Sequence, residues 1–316
     1  MKNNRPLTAH LSMFLACSLW GLMAPIAKDD MAHGITGLDL VTLRVVGATA
    51  LFWLASLFAK REHVPVKDRL LFAGAGFLGI VTNQCLYNIG LSITSPINAS
   101  IVTTSLPIFA MVLSFFILKE PITAKKLLGV LTGCCGAVIL IMTSAMAANA
   151  KVGNLRGDLM CLCAQASFAL YLSLFNKMVR RYSVFTVNKW MFLWAAIFVV
   201  PFTSRHITSL QWSALPMSTW LETAYVVCIG TFVCYLLTMV GQKTLRPTVV
   251  AIYNYLQPIV SVTVSVLTGI GAFRWSQGLA VVLVVIGVSL VTKSKSLRDV
   301  RAEKGVKTAE QPSKQL

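Results

Sequence analysis

Few charged residues lie within the apolar runs of this 316-residue chain, and Arg44 is the one basic residue well inside such a run. A guanidinium there can take a carboxylate through two parallel hydrogen bonds. It can also snorkel toward water, or pair with Asp39, Asp158 or Glu222, which fall near the same end of their runs. Asp158 and Glu222 come early in their segments, where a helix dipole favours a carboxylate, so capping is the plainer role for them. The four histidines (His10, His33, His63, His206) lie in loops or at segment ends, which leaves a buried proton relay without obvious members. Uncharged polar groups are more plentiful at depth. They are Asn83, Gln84, Tyr87 and Asn88; Asn98, Thr103 and Thr104; Gln165 and Tyr171; Thr231, Tyr235 and Thr238; and Tyr253, Asn254, Tyr255 and Gln257. Asn83 with Tyr87, and Thr231 with Tyr235, are spaced i, i+4 and so share a helix face. Facing lipid, such groups would lack partners. They either bond between helices or line a polar site.

Other chemistry fails on spacing. Gly74-Ala-Gly-Phe-Leu-Gly79 matches a dinucleotide fingerprint in letters only, because it lies inside an apolar run rather than between a strand and a helix. Its glycines, like Gly129, Gly133 and Gly136, suit close helix approach. Cys161 and Cys163 point about 200° apart on a helix, so one metal ion cannot easily take both. All eight cysteines fall in or at the edges of apolar runs, with no disulfide framework in external loops. No nucleophile–base pair, phosphate loop, metal site or cofactor is implied.

The elements that must position these residues follow from composition. Apolar residues are 56% of the chain and charged ones 12%, with a mean hydropathy of +0.72. A soluble protein carries roughly 25% charged residues. The chain therefore reads as an all-α polytopic membrane protein. A span needs about 20 apolar residues, and ten such stretches lie at 8–27, 38–59, 70–92, 97–118, 125–146, 157–177, 187–203, 219–241, 248–270 and 276–292. Runs such as LAVVLVVIGVSLV do not alternate as a barrel strand would. The first stretch reads as an uncleaved helix rather than a signal peptide.

The net charge of +17 resolves by loop. One set of loops with both termini holds 22 Lys and Arg; the opposite set holds 5, namely Lys28, Lys151, Arg156, Arg205 and Arg274. That is the positive-inside pattern with both termini cytoplasmic. It argues for a bilayer and against nucleic acid as partner. The tail, 293–316, is polar and basic.

The chain repeats itself. Gly90, Pro96, Pro107 and Gly136 recur 151 residues later as Gly241, Pro247, Pro258 and Gly287, while Ser18 and Lys28 recur at offset 149 as Ser167 and Lys177. Five spans per half is an odd number, so the second half enters from the other side. This predicts ten transmembrane helices as two inverted five-helix repeats, 1–146 and 147–292, an architecture of secondary transporters with a site between the halves. Pro107 and Pro258 fall inside the fourth and ninth spans and are expected to kink them as hinges.

The segment from Gly90 through Ser95, Pro96, Pro107 and Glu120 to Gly129 and Gly136 resembles the EamA domain of the drug/metabolite transporter superfamily. The second half resembles another copy, from Gly241 through Pro247 and Pro258 to Gly287. Leu19-Trp20-Gly21 resembles the family's first helix, and Arg44 matches an arginine often seen in its second. One position departs: Glu120 in the first copy corresponds to Gly271 in the second. The resemblance covers 8–292. It implies a cavity lined mainly by helices 1, 3, 4, 6, 8 and 9, and export or exchange of small metabolites. On these grounds Trp20, Arg44, Asn83, Tyr87, Thr103, Gln165, Tyr171, Tyr235, Tyr253 and Asn254 are the candidate substrate-binding residues. The expected activity is transport of small neutral or zwitterionic solutes across a bacterial inner membrane. The alternative is a membrane-embedded lipid-modifying enzyme.

Overall fold

The computed structural model describes residues 5–94, 99, 102–147, 154–210, 212–267 and 275–295. Ser95, Pro96, Asn98, Lys151, Gly271, Arg274 and residues 296–316 lie outside them. The described chain is helical throughout, without a strand. Among the described residues, five helices are long and apolar enough to cross a bilayer: Gly37–Leu57, Val66–Ile93, Leu155–Leu174, Val184–Thr203 and Met217–Thr244. Leu106–Leu118 and Gly278–Thr292 are shorter apolar helices. Large apolar side chains stand outward, with Phe58, Phe116 and Phe202 at 88%, 71% and 88% exposure. A soluble fold rarely leaves so much large apolar surface open; lipid would cover it.

Several expected stretches are broken into shorter helices. The first divides into α1 (Arg5–Gly21) and α2 (Met23–Ala32). After α3 (Gly37–Leu57), the third comprises α4 (Val66–Gly76), a π-helical segment Phe77–Thr82, and α5 (Asn83–Ile93). The fourth breaks at a turn over Thr104 and Ser105, before α6 (Leu106–Leu118). Then come α7 (Ala124–Ala147), α8 (Leu155–Leu174), the short α9 (Asn176–Arg181) and α10 (Val184–Ser209). The eighth stretch is α11 (Met217–Ala224), a π-helical segment Tyr225–Val233, and α12 (Cys234–Thr244). The ninth is α13 (Pro247–Ile252), a 3-10 turn Tyr253–Tyr255 and α14 (Leu256–Leu267); α15 (Trp275–Thr292) closes the described chain.

Pro107 and Pro258 thus sit in the first turns of α6 and α14, after a break, rather than inside continuous kinked helices. The reason is the missing N–H: in a first turn that donor has no intrahelical partner to lose. Helix starts carry their own signals. Thr36 caps α3 in a reciprocal box with Asp39, whose N–H donates to Thr36 Oγ1 at 3.2 Å while Thr36 N–H donates to Asp39 Oδ2 at 2.8 Å. Asp158, in the first turn of α8, accepts from Thr94 Oγ1 at 2.6 Å.

The two π-bearing stretches correspond at their ends and at the close of their π segments, although the second π segment begins three residues earlier. Val66 and Met217, Asn83 and Cys234, and Ile93 and Thr244 bound their helices at matching points, each pair 151 residues apart. Packing follows the same exchange. α1 packs on α12 and α14, and α8 packs on α5 and α6, while α3 pairs with α10 and α7 with α15. Between α7 and α15 the backbones touch: a Cβ on Gly287 would lie 2.6 Å from Gly133 N, so no larger residue fits without displacement. All eight cysteines are free; Cys161 is buried and Cys163 exposed, on different faces of α8.

Candidate substrate cavity

Residues of seven stretches converge on one cavity with a volume of about 120 Å³, where one ordered water needs only ~10–15 Å³. The end of α1 and start of α2 contribute Trp20, Gly21 and Met23; α5 contributes Asn83, Gln84 and Tyr87. Thr103 and Leu106 come from around the break before α6, and Gln165 and Phe168 from α8. Tyr235 on α12, and Asn254, Gln257 and Pro258 around the start of α14, complete the wall with Arg44 of α3. The lining thus uses the first, third, fourth, sixth, eighth and ninth stretches, plus Arg44 from the second.

The π segments shape this wall. A π turn runs its hydrogen bonds to the fifth residue back and shifts the register of the residues after it. Thr231, inside Tyr225–Val233, donates its hydroxyl hydrogen to Val226 O at 2.7 Å, five residues earlier. Its lone pair then accepts from Arg44 Nε at 2.8 Å. Gly230 O, in the same segment, accepts from Trp20 Nε1 at 2.8 Å. The Trp20 ring meets Tyr235 edge-on, centroids 5.8 Å apart, a favoured aromatic geometry.

The amides form a linked set. Gln84 Nε2 donates to Tyr235 Oη at 3.0 Å and to Asn83 Oδ1 at 3.2 Å, and Asn83 Nδ2 donates to Ala164 O at 2.9 Å. Across the cavity Gln257 Nε2 donates to Asn254 Oδ1 at 2.6 Å, and Asn254 Nδ2 to Ala251 O at 3.0 Å. Arg44 is 6% exposed and takes part in none of the three ion pairs among the described residues. A cation at membrane depth costs ~2.5–3.5 kcal/mol or more unless something compensates it. Among the described residues no carboxylate lines the cavity.

Eight of the ten expected binding residues line this space: Trp20, Arg44, Asn83, Tyr87, Thr103, Gln165, Tyr235 and Asn254. Tyr171 and Tyr253 do not. Tyr171 lies about one turn further along α8, where its ring lies on Gly79 and its hydroxyl donates to Gln242 Oε1 at 2.9 Å. Tyr253 lies in the 3-10 turn, where each residue advances about 120°; Asn254 takes the cavity side, and the Tyr253 hydroxyl sits 2.7 Å from His10 Nδ1. Of the two expected hinges, Pro258 lines the cavity and Pro107 does not. Gln84 and Gln257 join the site; their i, i+3 spacing to Tyr87 and Asn254 was the available signal. Met23, Leu106 and Phe168 carried none, being apolar residues in apolar runs.

A second polar cluster lies where the loop before α4 meets α9. Asp68 Oδ2 accepts from Arg181 Nη1 at 2.9 Å and from the Tyr182 hydroxyl. Glu62 accepts from Ser183 N at 2.9 Å, Lys243 Nζ donates to Tyr182 O at 2.6 Å, and Arg180 Nη2 to Leu245 O at 2.8 Å. Elsewhere Asp30, at the end of α2, is buried, with its carboxyl pushed up to about 7 by burial and then by the neighbouring Glu222.

The sequence profile of the EamA-like transporter family matches residues 7–142 and 155–293. Uncharacterized transporter YyaM of Bacillus subtilis is 24% identical over 225 residues, 70% of this chain and 72% of that protein. Uncharacterized transporter YetK of the same organism is 22% identical over 78% of this chain and 76% of its own length. WAT1-related protein At5g13670 of Arabidopsis thaliana is 22% identical over 90% of this chain and 83% of its own. A solved crystal structure, 20% identical, superposes with a TM-score of 0.73 over 91% of this chain and 98% of that one, which shows a shared fold.

Proposed function

The chain belongs to the EamA-like transporter family, and we propose that it is a secondary transporter moving small neutral or zwitterionic organic solutes by alternating access, in export or exchange. The observation that carries this reading is the cavity itself. Residues from both halves of the chain meet there; all but Arg44 are uncharged, and most carry a side-chain amide, a phenol or an aromatic ring. Neutral dipoles and one cation can desolvate a solute of low net charge; a multiply charged one needs several countercharges.

Ten spans in two inverted repeats, 1–146 and 147–292, are the architecture we assign. The matched helix boundaries 151 residues apart and the exchange-related packing support it. The loop charge split supports cytoplasmic termini and a bacterial inner membrane, with 293–316 as a cytoplasmic tail. Reporter fusions near residues 65, 151 and 316 should read inside, outside and inside. An external C-terminus would mean a span count wrong by an odd number.

Counterflow in proteoliposomes tests the function. Amino acids and related amphiphilic metabolites should exchange. Alanine at Asn83, Tyr87, Tyr235 or Asn254 should weaken flux without loss of insertion. Efficient flux of a phosphorylated sugar, with those four variants unaffected, would overturn both the site and the solute class.

A further inference from the structure

We propose that the group the cavity selects is a carboxylate, with Arg44 as its receptor, so that the cargo bears one carboxylate and its amine, where present, is dispensable. The inference rests on the transport reading above and revises its solute class: one carboxylate is required, and zwitterions and monocarboxylates are both accepted.

The guanidinium is oriented before any solute arrives. Thr231 spends its hydroxyl hydrogen on Val226 O and presents a lone pair to Arg44 Nε at 2.8 Å. That bond occupies one edge of the planar fork. It is the one hydrogen bond Arg44 makes among the described residues, and it leaves the paired terminal nitrogens for a planar two-oxygen acceptor. Among the described residues no carboxylate forms an ion pair with Arg44. Asp39 closes the cap of α3 with Thr36, Asp158 accepts from Thr94, and Asp30 accepts from Thr223 at 3.4 Å. A buried cation at the cavity wall therefore has its natural partner in a carboxylate brought by the cargo.

The rest of the wall treats an ammonium group differently. With no carboxylate among the described lining residues, an amine would be received by neutral oxygens, such as those of Gln165 and Gln257. Losing the amine leaves no protein charge unpaired, whereas losing the carboxylate leaves Arg44 buried and uncompensated. The contrast is asymmetric in a way that a cavity built around both charges of a zwitterion would not be.

The test is a compound series on one aromatic and one aliphatic skeleton: the amino acid, its des-amino carboxylic acid, its carboxamide and its decarboxylated amine. Binding is read by thermal shift of the purified full-length protein, and transport by counterflow. The amino acid and the des-amino acid should bind within about fivefold of each other, and the carboxamide and the amine at least tenfold more weakly. Arg44→Gln should abolish the advantage of acid over amide. Arg44→Lys keeps the charge without the fork and should fall between. The wild-type ranking stands even where a variant folds poorly. An amine or amide bound as tightly as the acid, or acid binding untouched in Arg44→Gln, overturns the inference and leaves transport standing. Wild-type protein that carries none of the compounds overturns both.

Discussion

At the cluster around Asp68, charges and phenols meet one another: Arg181 and Tyr182 converge on one carboxylate oxygen, and Lys243 and Arg180 end on backbone carbonyls. The cavity holds comparable side chains in another condition. Arg44 keeps one bond on its Nε edge, and the Tyr87 hydroxyl and Gln165 amide face the space without a protein partner among the described residues. Folding energetics explains the first arrangement, since each group there satisfies another. It does not explain the second, because a buried polar group left to itself destabilises the fold. The difference teaches where to look for function in a chain full of polar groups at depth. Groups that satisfy each other hold the structure, and groups that face space together are the candidates to receive cargo.

The comparison breaks if the two classes respond alike to substitution. The largest effect should come from a buried ion pair. Lys126 Nζ lies 2.9 Å from Glu120 Oε2, the two side chains 1% and 10% exposed. Lys126→Met strands the carboxylate and should cost ~3–5 kcal/mol, seen as a marked drop in unfolding temperature in detergent. Adding Glu120→Gln should recover much of it. No recovery would mean the pair is not the source.

Two aspartates should then move in opposite directions. Asp68→Asn weakens a charge-assisted pair of bonds and should destabilise by ~1–3 kcal/mol. Asp30→Asn should stabilise at pH 8 by a similar ~1–3 kcal/mol, since Asp30 Oδ2 is buried without a partner among the described residues. The sign follows from its carboxyl being pushed up to about 7 by burial and then by Glu222. An unfolded aspartate ionises near ~3.9, so the folded chain holds the extra proton. Wild-type stability therefore declines as pH rises from ~4 to about 7. The advantage of Asp30→Asn should be full above that window and vanish below it, as followed by denaturation across pH. A smaller effect, ~1 kcal/mol, should follow Tyr171→Phe, which removes the donor to Gln242. Smallest of all, Tyr87→Phe should shift stability by no more than ~0.5 kcal/mol.

Much of this was legible in the residues. The i, i+4 pair Asn83 and Tyr87 pointed to residues that line one cavity, and the 151-residue spacing of the matched glycines and prolines recurs in the bounds of the two π-bearing stretches. The family resemblance and the polar clustering pointed to most of the wall. What escaped was set by tertiary contact. Tyr87 and Tyr171 read alike as tyrosines in apolar helices, and only the ring of Tyr171 lying on Gly79 sends it away from the cavity. The π segments have no propensity signature, although Gly79 and Gly230, again 151 apart, both fall within them. Pro107 and Pro258 were expected inside helices because the apolar runs continue past them. Apolar continuity shows that a segment is buried in lipid or protein, but not that its hydrogen-bond ladder is unbroken.

The most direct test compares those two tyrosines in proteoliposomes matched for inserted protein, using a solute that the wild type carries. Tyr87→Phe should cut flux severalfold with an unchanged unfolding temperature, and Tyr171→Phe should lower the unfolding temperature with flux per folded molecule unchanged. Normal flux in Tyr87→Phe, with the loss falling instead on Tyr171→Phe, would contradict the account.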